Sequence, residues 1–196
     1  MTSIWKTMLQ AQEQHFDEYN LIEANIMNQH VAPKVLNLNT REHQARVRAY
    51  CWWIVEELSE AIEAKELGSD KFFEELIDAW HFVLELWLQL GLGAHELSVA
   101  AEVVKRQQNH ELSGVMTYNL IYDTVLALGL ACNQLKLKPW KKTFEPTNTG
   151  LFMAHVDKAV RSFLSVLYSV GLDDQAIENE YFNKSEVNHA RKQTGY

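Results

Sequence analysis

Residues 47–92 read VRAYCWWIVEELSEAIEAKELGSDKFFEELIDAWHFVLELWLQLGL, and this stretch decides the fold. Apolar side chains recur at helical spacing on both sides of the run Gly68-Ser69-Asp70. A glycine just past one helix, followed by a capping residue at the start of the next, predicts two helices with a very short connection. So short a connection requires the two helices to form an antiparallel hairpin.

The hairpin carries two pairs of acidic residues, Glu57-x-x-Glu60 and Glu75-x-x-Asp78. Residues three apart lie on one face of a helix, about one turn from each other. Counted outward from the turn at about 1.5 Å per residue, the two pairs reach the same height on facing helices. We therefore expect four carboxylates to converge, and Mg²⁺ or Mn²⁺ is the counter-ion that such oxygen ligands prefer. An ordinary solvated seam of acids is the alternative on spacing alone.

Helical periodicity continues through the rest of the chain and predicts an all-α, antiparallel helical bundle in a single domain, residues 1–196. Predicted helices lie near residues 4–28, 41–67, 70–91, 95–110, 115–136, 151–171 and 173–192. The chain has only three prolines and eight glycines. This scarcity favours long helices over many short strands.

The second half of the chain weakly repeats the hairpin. Gly91-Leu92 aligns with Gly171-Leu172 after similar apolar runs, and Val47 aligns with Val115. In these alignments the four acids fall opposite residues that are not acidic: Val125, Leu128, His155 and Lys158. Either the hairpin is duplicated and one copy kept the chemistry, or amphipathic helices resemble each other by chance.

Charge and composition limit the partners and the compartment. The formal charge of −8 predicts repulsion of nucleic acid and of anionic membranes, so we expect neither as a partner. A polyanionic substrate must therefore meet a local cation site. Cys51 and Cys132 lie among apolar residues and are interpreted as buried free thiols in a reducing compartment. The N-terminus does not resemble a signal peptide and the most apolar stretch is too short to span a membrane, which predicts a cytoplasmic location.

The last sixteen residues, YFNKSEVNHARKQTGY, form a second motif, at residues 181–196. Lys184, Asn188 and Arg191 are spaced four and three apart, on one helical face. A lysine and an arginine can bind phosphate oxygens, and an amide can pair with a base or sugar edge. The alternative is that a basic final turn stabilises the helix dipole.

Together these motifs resemble the all-α NTP pyrophosphatase superfamily, specifically the dimeric dUTPases and the small dCTPase/dUTPase of T-even phages. That family pairs E-x-x-E on one helix with E-x-x-D on the next, which continues into His-Phe, here His81-Phe82. Its tail has the form Y-x-x-K-N-x-x-N-x-x-R-Q-x-x-G-Y, which this chain matches at Tyr181, Lys184, Asn188, Arg191, Gly195 and Tyr196. The chain departs at Ser185 and Lys192, which concerns details of nucleotide contact. Residues 93–150 match no motif of the family.

The resemblance implies Mg²⁺-dependent hydrolysis of dUTP, with dUDP or dCTP as further substrates, to the monophosphate by a homodimer. It implies that two or three Mg²⁺ ions, for which Mn²⁺ can substitute, bind to Glu57, Glu60, Glu75 and Asp78. One of the first-helix glutamates, Glu57 or Glu60, would also take a proton from the attacking water.

The resemblance also implies a set of substrate contacts. Lys184 and Arg191 would neutralise phosphate charge, and Asn188 and Tyr196 would hold the nucleotide. Gln12 is the candidate for a glutamine that the family's first helix contributes to the base pocket. Trp53, Trp80 and His81 are interpreted as buried aromatic core, with approach to the base as the alternative.

Three other functions are also compatible with the sequence. A di-iron carboxylate bundle would use Asp78-x-x-His81 and Glu186-x-x-His189 as ligand pairs. A non-catalytic helical adaptor would bind a basic partner through the acidic seam. MazG-like or phosphoribosyl-ATP pyrophosphohydrolase activity would use the same acids. The choice between uracil and cytosine, and between the two glutamates as base, also stays open.

Overall fold

A computed structural model describes residues 3–27, 33–107, 114–138, 140–142 and 144–193. Within those ranges the chain forms helices and no strand, so the predicted all-α fold is confirmed. In chain order the helices are α1 (Ile4–Met27), α2 (Arg41–Glu66), α3 (Lys71–Gln89), α4 (Ala94–Gln107), α5 (Gly114–Gln134), α6 (Thr149–Ser169) and α7 (Asp174–Gln193). None of the helices in the described ranges is long and apolar enough to cross a bilayer.

The turn between α2 and α3 has the predicted glycine, but Asp70, the residue before α3, makes no side-chain capping bond; instead the N–H of Lys71 donates to Oγ of Ser69 at 3.2 Å. Gly68 adopts a positive φ of 64°, a conformation that favours glycine. The backbone N–H of Ser69 donates to the carbonyl of Ala64 at 2.8 Å, as in a Schellman cap. At the far end of the hairpin, the hydroxyl of Tyr50 donates to a carboxylate oxygen of Glu85 at 2.7 Å. These contacts confirm that α2 and α3 are antiparallel neighbours.

The second hairpin, α5 with α6, shares features with the first. Both α3 and α6 end at a glycine of positive φ, 74° at Gly91 and 89° at Gly171. The next residue in each case donates its N–H five residues back, Leu92 to Trp87 and Leu172 to Leu167, at 3.1 Å. α4 packs on α6, and α7 packs on α3. In a duplicated hairpin, α4 would be the third helix of the first copy and α7 that of the second. Each of these third helices packs on the hairpin of the other copy.

The two hairpins meet where α2 packs against α5. Arg48 donates to the carbonyl of Leu135 at 2.6 Å, and the Lys65 ammonium lies 5.6 Å from the centre of the Tyr118 ring. Because the start of α2 meets the end of α5 and the reverse, these helices are antiparallel. Cys51 is buried and Cys132 partly buried at this contact, and both are free thiols, as predicted.

Every helix contributes to one hydrophobic cluster of buried side chains. Its largest member is Trp80 of α3, which is fully buried. The indole contacts Trp5 of α1 edge-on, with ring centres 6.1 Å apart, and stacks on Phe163 of α6 at 5.8 Å. The interpretation of Trp80 as a core residue is therefore correct. This packing places α3 between the two halves, with the face that carries Glu75, Asp78 and Glu85 towards α1, α2 and α7.

Candidate metal centre

Three of the predicted carboxylates meet between α2 and α3. Glu57, Glu60 and Glu75 each offer an oxygen, and these oxygens lie within 4.8 Å of one another. Burial, together with the charges of Asp78, Glu60 and Glu75, raises the pKa of Glu57 to about 7. Burial and the charges of Asp78 and Glu60 likewise raise the pKa of Glu75. Burial and repulsion among the carboxylates therefore outweigh the nearby charge of Lys184, and the hard oxygen donors of the cluster fit a divalent cation such as Mg²⁺.

Asp78 lies one helical turn beyond Glu75 and has a different partner. Its carboxylate accepts from the ammonium of Lys184 at 2.7 Å, and the same ammonium donates to Glu74 at 2.6 Å. Lys184 is only 8% exposed. Burial of Asp78 raises the pKa of its carboxyl, in spite of the bond to Lys184. The structure thus brings three predicted ligands together and places the fourth beside them, against a lysine from α7.

Glu74 is a site neighbour that sequence reasoning did not single out. Its hydrogen bond to Lys184 lowers the pKa of Glu74, and its carboxylate is largely exposed. The sequence contains one relevant signal, because Glu74 is four residues before Asp78 and so lies on the same face of α3. No local pattern in the sequence indicates that Lys184 pairs with Glu74, because the lysine reaches this face only through the packing of α7 on α3.

The other predicted residues of α7 extend along the same side of the helix. Asn188 is half-buried and Arg191 is exposed. The charge of Arg191 lowers the pKa of Glu74, which places the guanidinium near the acids. Tyr196, the last predicted substrate residue, lies outside the described residues. Lys184 and Arg191 of this motif thus lie near the acids of α3.

Gln12 does not present a free amide to a pocket. Its carbonyl oxygen accepts from the Tyr181 hydroxyl at 2.9 Å and lies 3.0 Å from Nδ1 of His81. Its amide nitrogen donates to Glu85 at 3.4 Å. The side chain is 3% exposed. Gln12 is therefore part of a buried polar network, which we call the Gln12 network and define as Gln12, Tyr50, His81, Glu85 and Tyr181.

Aromatic side chains border both the acids and the network. Trp53 is one turn before Glu57, is 36% exposed, and packs edge-on against Tyr50 at 5.0 Å. Phe82 lies 5.4 Å from Trp53, measured between ring centres. Unlike Trp80, the Trp53 indole is thus partly open to a ligand.

The ligand pairs of the di-iron alternative do not converge. Glu186 and His189 line an open groove between α1 and α7, with a volume of about 440 Å³, together with His15 and Phe182. Within the described part of the chain, the group of ligands close enough to share an ion is the glutamate trio, which contains no histidine. That geometry suits a hard cation and phosphate rather than an iron pair with histidine ligands.

Comparison with known proteins adds an independent finding. A model of the family described as dUTPase matches residues 4–196. No curated protein and no solved structure matches the chain significantly. The family match includes residues 93–150, for which the motifs alone indicated nothing.

Proposed function

The chain belongs to the all-α dUTPase family, and we propose that it performs its dUTP diphosphatase reaction with Mg²⁺ held by Glu57, Glu60, Glu75 and Asp78. Hydrolysis of dUTP serves the sanitation of the nucleotide pool. The observation that carries the metal assignment is the convergence of three glutamate oxygens within 4.8 Å, where burial and mutual repulsion raise the pKa values of Glu57 and Glu75. Bound at this centre, Mg²⁺ or Mn²⁺ supplies charge neutralisation for the triphosphate and Lewis acidity towards water.

The protein residues have separate tasks in this proposal. Water attacks the α-phosphorus, the bond to the β-phosphate bridging oxygen breaks, and dUMP and pyrophosphate leave. Glu57 or Glu60 accepts the proton of that water. Glu57 is the more buried of the two and Glu60 is exposed, so the two carboxylates differ in their access to solvent. Replacing each by glutamine separates the base from a pure ligand, because the base variant loses turnover while still binding nucleotide.

Lys184 and Arg191 act on the phosphates. Without substrate, the Lys184 ammonium neutralises Asp78 and Glu74, and its bonds to these two carboxylates raise its pKa in spite of burial. It is therefore charged and already positioned one turn from the glutamate trio. A triphosphate at the trio brings oxygens within its reach, where the ammonium stabilises the charge that develops on the leaving pyrophosphate. Asn188, on the same face of α7, is placed to bind the nucleotide.

The first experiment measures pyrophosphate release from dUTP, dUDP, dCTP, dTTP and dATP with Mg²⁺ or with EDTA. We expect turnover of dUTP in Mg²⁺ and none in EDTA. Glu75→Ala should lose at least 100-fold in turnover, on the order of removing a principal electrostatic contact. Glu63→Ala, an exposed acid one turn beyond Glu60 and outside the group of close carboxylate oxygens, is the matched control and should retain wild-type activity. Turnover in EDTA, or equal loss in both variants, would contradict the metal assignment, and broad hydrolysis of all bases would favour a MazG-like activity.

We also propose a homodimer that forms through α5. Tyr122, Leu126 and Leu130 are spaced four residues apart on one face of α5 and are 66%, 41% and 37% exposed. Trp52 of the adjacent α2 is 60% exposed. Exposed apolar stripes of this kind are typical of protein interfaces.

Light scattering after gel filtration tests the dimer. Wild type should have twice the chain mass of 22.7 kDa, and Leu126→Glu should shift the mass towards that of one chain. Val99→Glu on α4 changes a comparably exposed residue and should stay dimeric. A monomeric wild type, or a dimeric Leu126→Glu, would rule out this interface. The cytoplasmic location stays a prediction.

A further inference from the structure

Two cysteines face each other where the hairpins meet. Cys51 of α2 is buried and Cys132 of α5 is partly buried, and a hydrogen bond joins their side chains. Helices that pack about 8–10 Å apart bring facing Cα atoms to about 4–6 Å, because each Cα lies about 2.3 Å from its helix axis. A disulfide needs Cα atoms about 4.4–6.8 Å apart. The two thiols are therefore placed so that a bond between them needs little movement of the helices.

Positive charge lies beside this pair of thiols. The guanidinium of Arg48 is held in place by bonds to the carbonyl of Leu135, at 2.6 Å, and to Oε1 of Gln44, at 3.3 Å. Its Nε is buried and, among the described residues, has no hydrogen-bond acceptor. The ammonium of Lys138 donates to the backbone carbonyl of Cys132 at 3.4 Å. A fixed cation with an unused donor is a suitable neighbour for a thiolate.

These neighbours give the two sulfurs different reactivity. The hydrogen bond from Cys51, with the charges of Arg48 and Lys138, lowers the pKa of Cys132 in spite of its partial burial. The same hydrogen bond, together with burial, raises the pKa of Cys51. Cys132 lies about 120° around α5 from Leu126, away from the middle of the proposed dimer face. An accessible cysteine of lowered pKa beside a second thiol is the arrangement of redox-sensitive pairs.

We propose that Cys51 and Cys132 form a reversible disulfide when the protein meets hydrogen peroxide, and that this bond locks the two hairpins together. The Cys132 thiolate attacks a peroxide oxygen and becomes a sulfenic acid, while the O–O bond breaks and hydroxide leaves and takes a proton from solvent. The Cys51 sulfur then attacks the sulfenic sulfur, the S–O bond breaks, and the proton of Cys51 leaves with the hydroxide as a second water. The two thiols lose two electrons to the peroxide, and a dithiol reductant restores them. This modification needs neither metal nor nucleotide, so it goes beyond the proposed function.

Intact mass and peptide mapping of the full chain test the bond. After a stoichiometric amount of hydrogen peroxide, wild type should lose the mass of two hydrogen atoms, with Cys51 linked to Cys132, and dithiothreitol should reverse the change. Cys51→Ser should instead gain oxygen at Cys132, and Cys132→Ser should stay reduced. A wild type without this internal bond, a bond between two chains, or a Cys132→Ser chain that is oxidised as fast as wild type overturns the proposal.

The contribution of Arg48 separates an activated thiolate from two thiols that merely lie close. Arg48→Met should slow disulfide formation about three- to tenfold, because the thiolate loses its fixed cation, and Arg48→Lys should recover part of the rate. Arg106→Met, which replaces an exposed arginine on α4, is the matched control and should react like wild type. Equal rates in Arg48→Met and wild type would overturn the proposed attack by the Cys132 thiolate.

Thermal unfolding without metal or nucleotide tests whether the bond locks the hairpins. Oxidised wild type should have a Tm roughly 5 °C or more above that of the reduced protein, because the bond constrains the unfolded chain. Cys51→Ser, treated with peroxide in the same way, should show no such rise. An oxidised wild type with a Tm at or below the reduced value would mean that the bond strains the packing of α2 on α5, which contradicts the proposal.

Discussion

At the scale of single residues, the acids of the hairpin differ in what surrounds them. Glu57 faces three other carboxylates, and Asp78 faces the Lys184 ammonium. The protein thus holds a lysine directly against Asp78, and the charge of that lysine only partly offsets the repulsion within the glutamate trio. We therefore expect replacement of Lys184 to lower activity, and replacement of Glu57 to change how stability depends on pH.

Lys184→Met removes the ammonium that lies between α7 and the acids. We expect kcat/KM for dUTP to fall about 10²- to 10³-fold, as on removal of one contact that stabilises developing charge. Steady-state kinetics at saturating Mg²⁺ measures the effect. Lys158→Met, an exposed lysine on α6, serves as the control and should change little. A loss below about threefold in Lys184→Met would remove this lysine from the proposed mechanism.

Glu57→Gln tests the electrostatic strain of the trio. Because the folded-state pKa of Glu57, about 7, exceeds the unfolded value near 4.5, the folded protein binds more protons between these pH values. Stability in EDTA should therefore fall as the pH rises from about 4.5 to 7, and the glutamine variant should lose this slope. After allowance for solvent screening, we expect roughly 1 kcal/mol, or about 2–4 °C in Tm, in favour of the variant at pH 8.

Thermal unfolding of wild type and Glu57→Gln across this pH range, with and without Mg²⁺, gives the answer. Mg²⁺ should raise the Tm of wild type at pH 8 more than that of the variant, because a bound cation relieves the repulsion among carboxylates. A wild-type Tm in EDTA that rises through this pH window would contradict the account. Glu63→Gln is the matched substitution on the exposed side of α2.

At the scale of elements, the α2–α3 turn sets the register of the two acid pairs. Gly68 has a φ of +64° with open space around the position of a Cβ atom, so backbone strain alone opposes substitution. Gly68→Ala should destabilise the protein by about 1 kcal/mol. Gly129→Ala, in the middle of α5 and within the proposed dimer face, should stabilise the chain by about 0.5–1 kcal/mol when it is measured in the monomeric Leu126→Glu background. Chemical denaturation measures both, and a neutral Gly68→Ala would mean that the turn does not require a left-handed residue.

The elements also show how far the sequence could predict the site. Spacing within α2 and α3, with the length of their connection, is local information, and it was enough to bring Glu57, Glu60 and Glu75 together. The pairing of Lys184 with Asp78 and Glu74 depends on how α7 packs on α3, which no local pattern encodes. Gln12 is a candidate for the base pocket only because the family resemblance implies a glutamine from the first helix, and that role stays a prediction. Its actual partners come from α3 and α7.

At the scale of the whole molecule, the two hairpins are alike in shape but not in chemistry. Val125 and Leu128 of α5 occupy the counterpart positions of Glu57 and Glu60, and Leu128 is buried in the core. In the second hairpin, this position therefore contributes apolar packing. Among the described residues, the face of α3 that carries Glu75 and Asp78 is then the place where α1, α2 and α7 together enclose acids and a buried lysine. In the proposed function, the first hairpin supplies the acids of the metal centre and the second hairpin supports it by apolar packing.

Mn²⁺ binding, measured by electron paramagnetic resonance with α,β-imido-dUTP present, tests the central claim most directly. We predict that wild type binds Mn²⁺, that Mg²⁺ displaces it, and that Glu75→Ala weakens binding at least tenfold while Glu63→Ala does not. Equal binding of Mn²⁺ by wild type and Glu75→Ala would contradict the assignment of the metal to the glutamate trio.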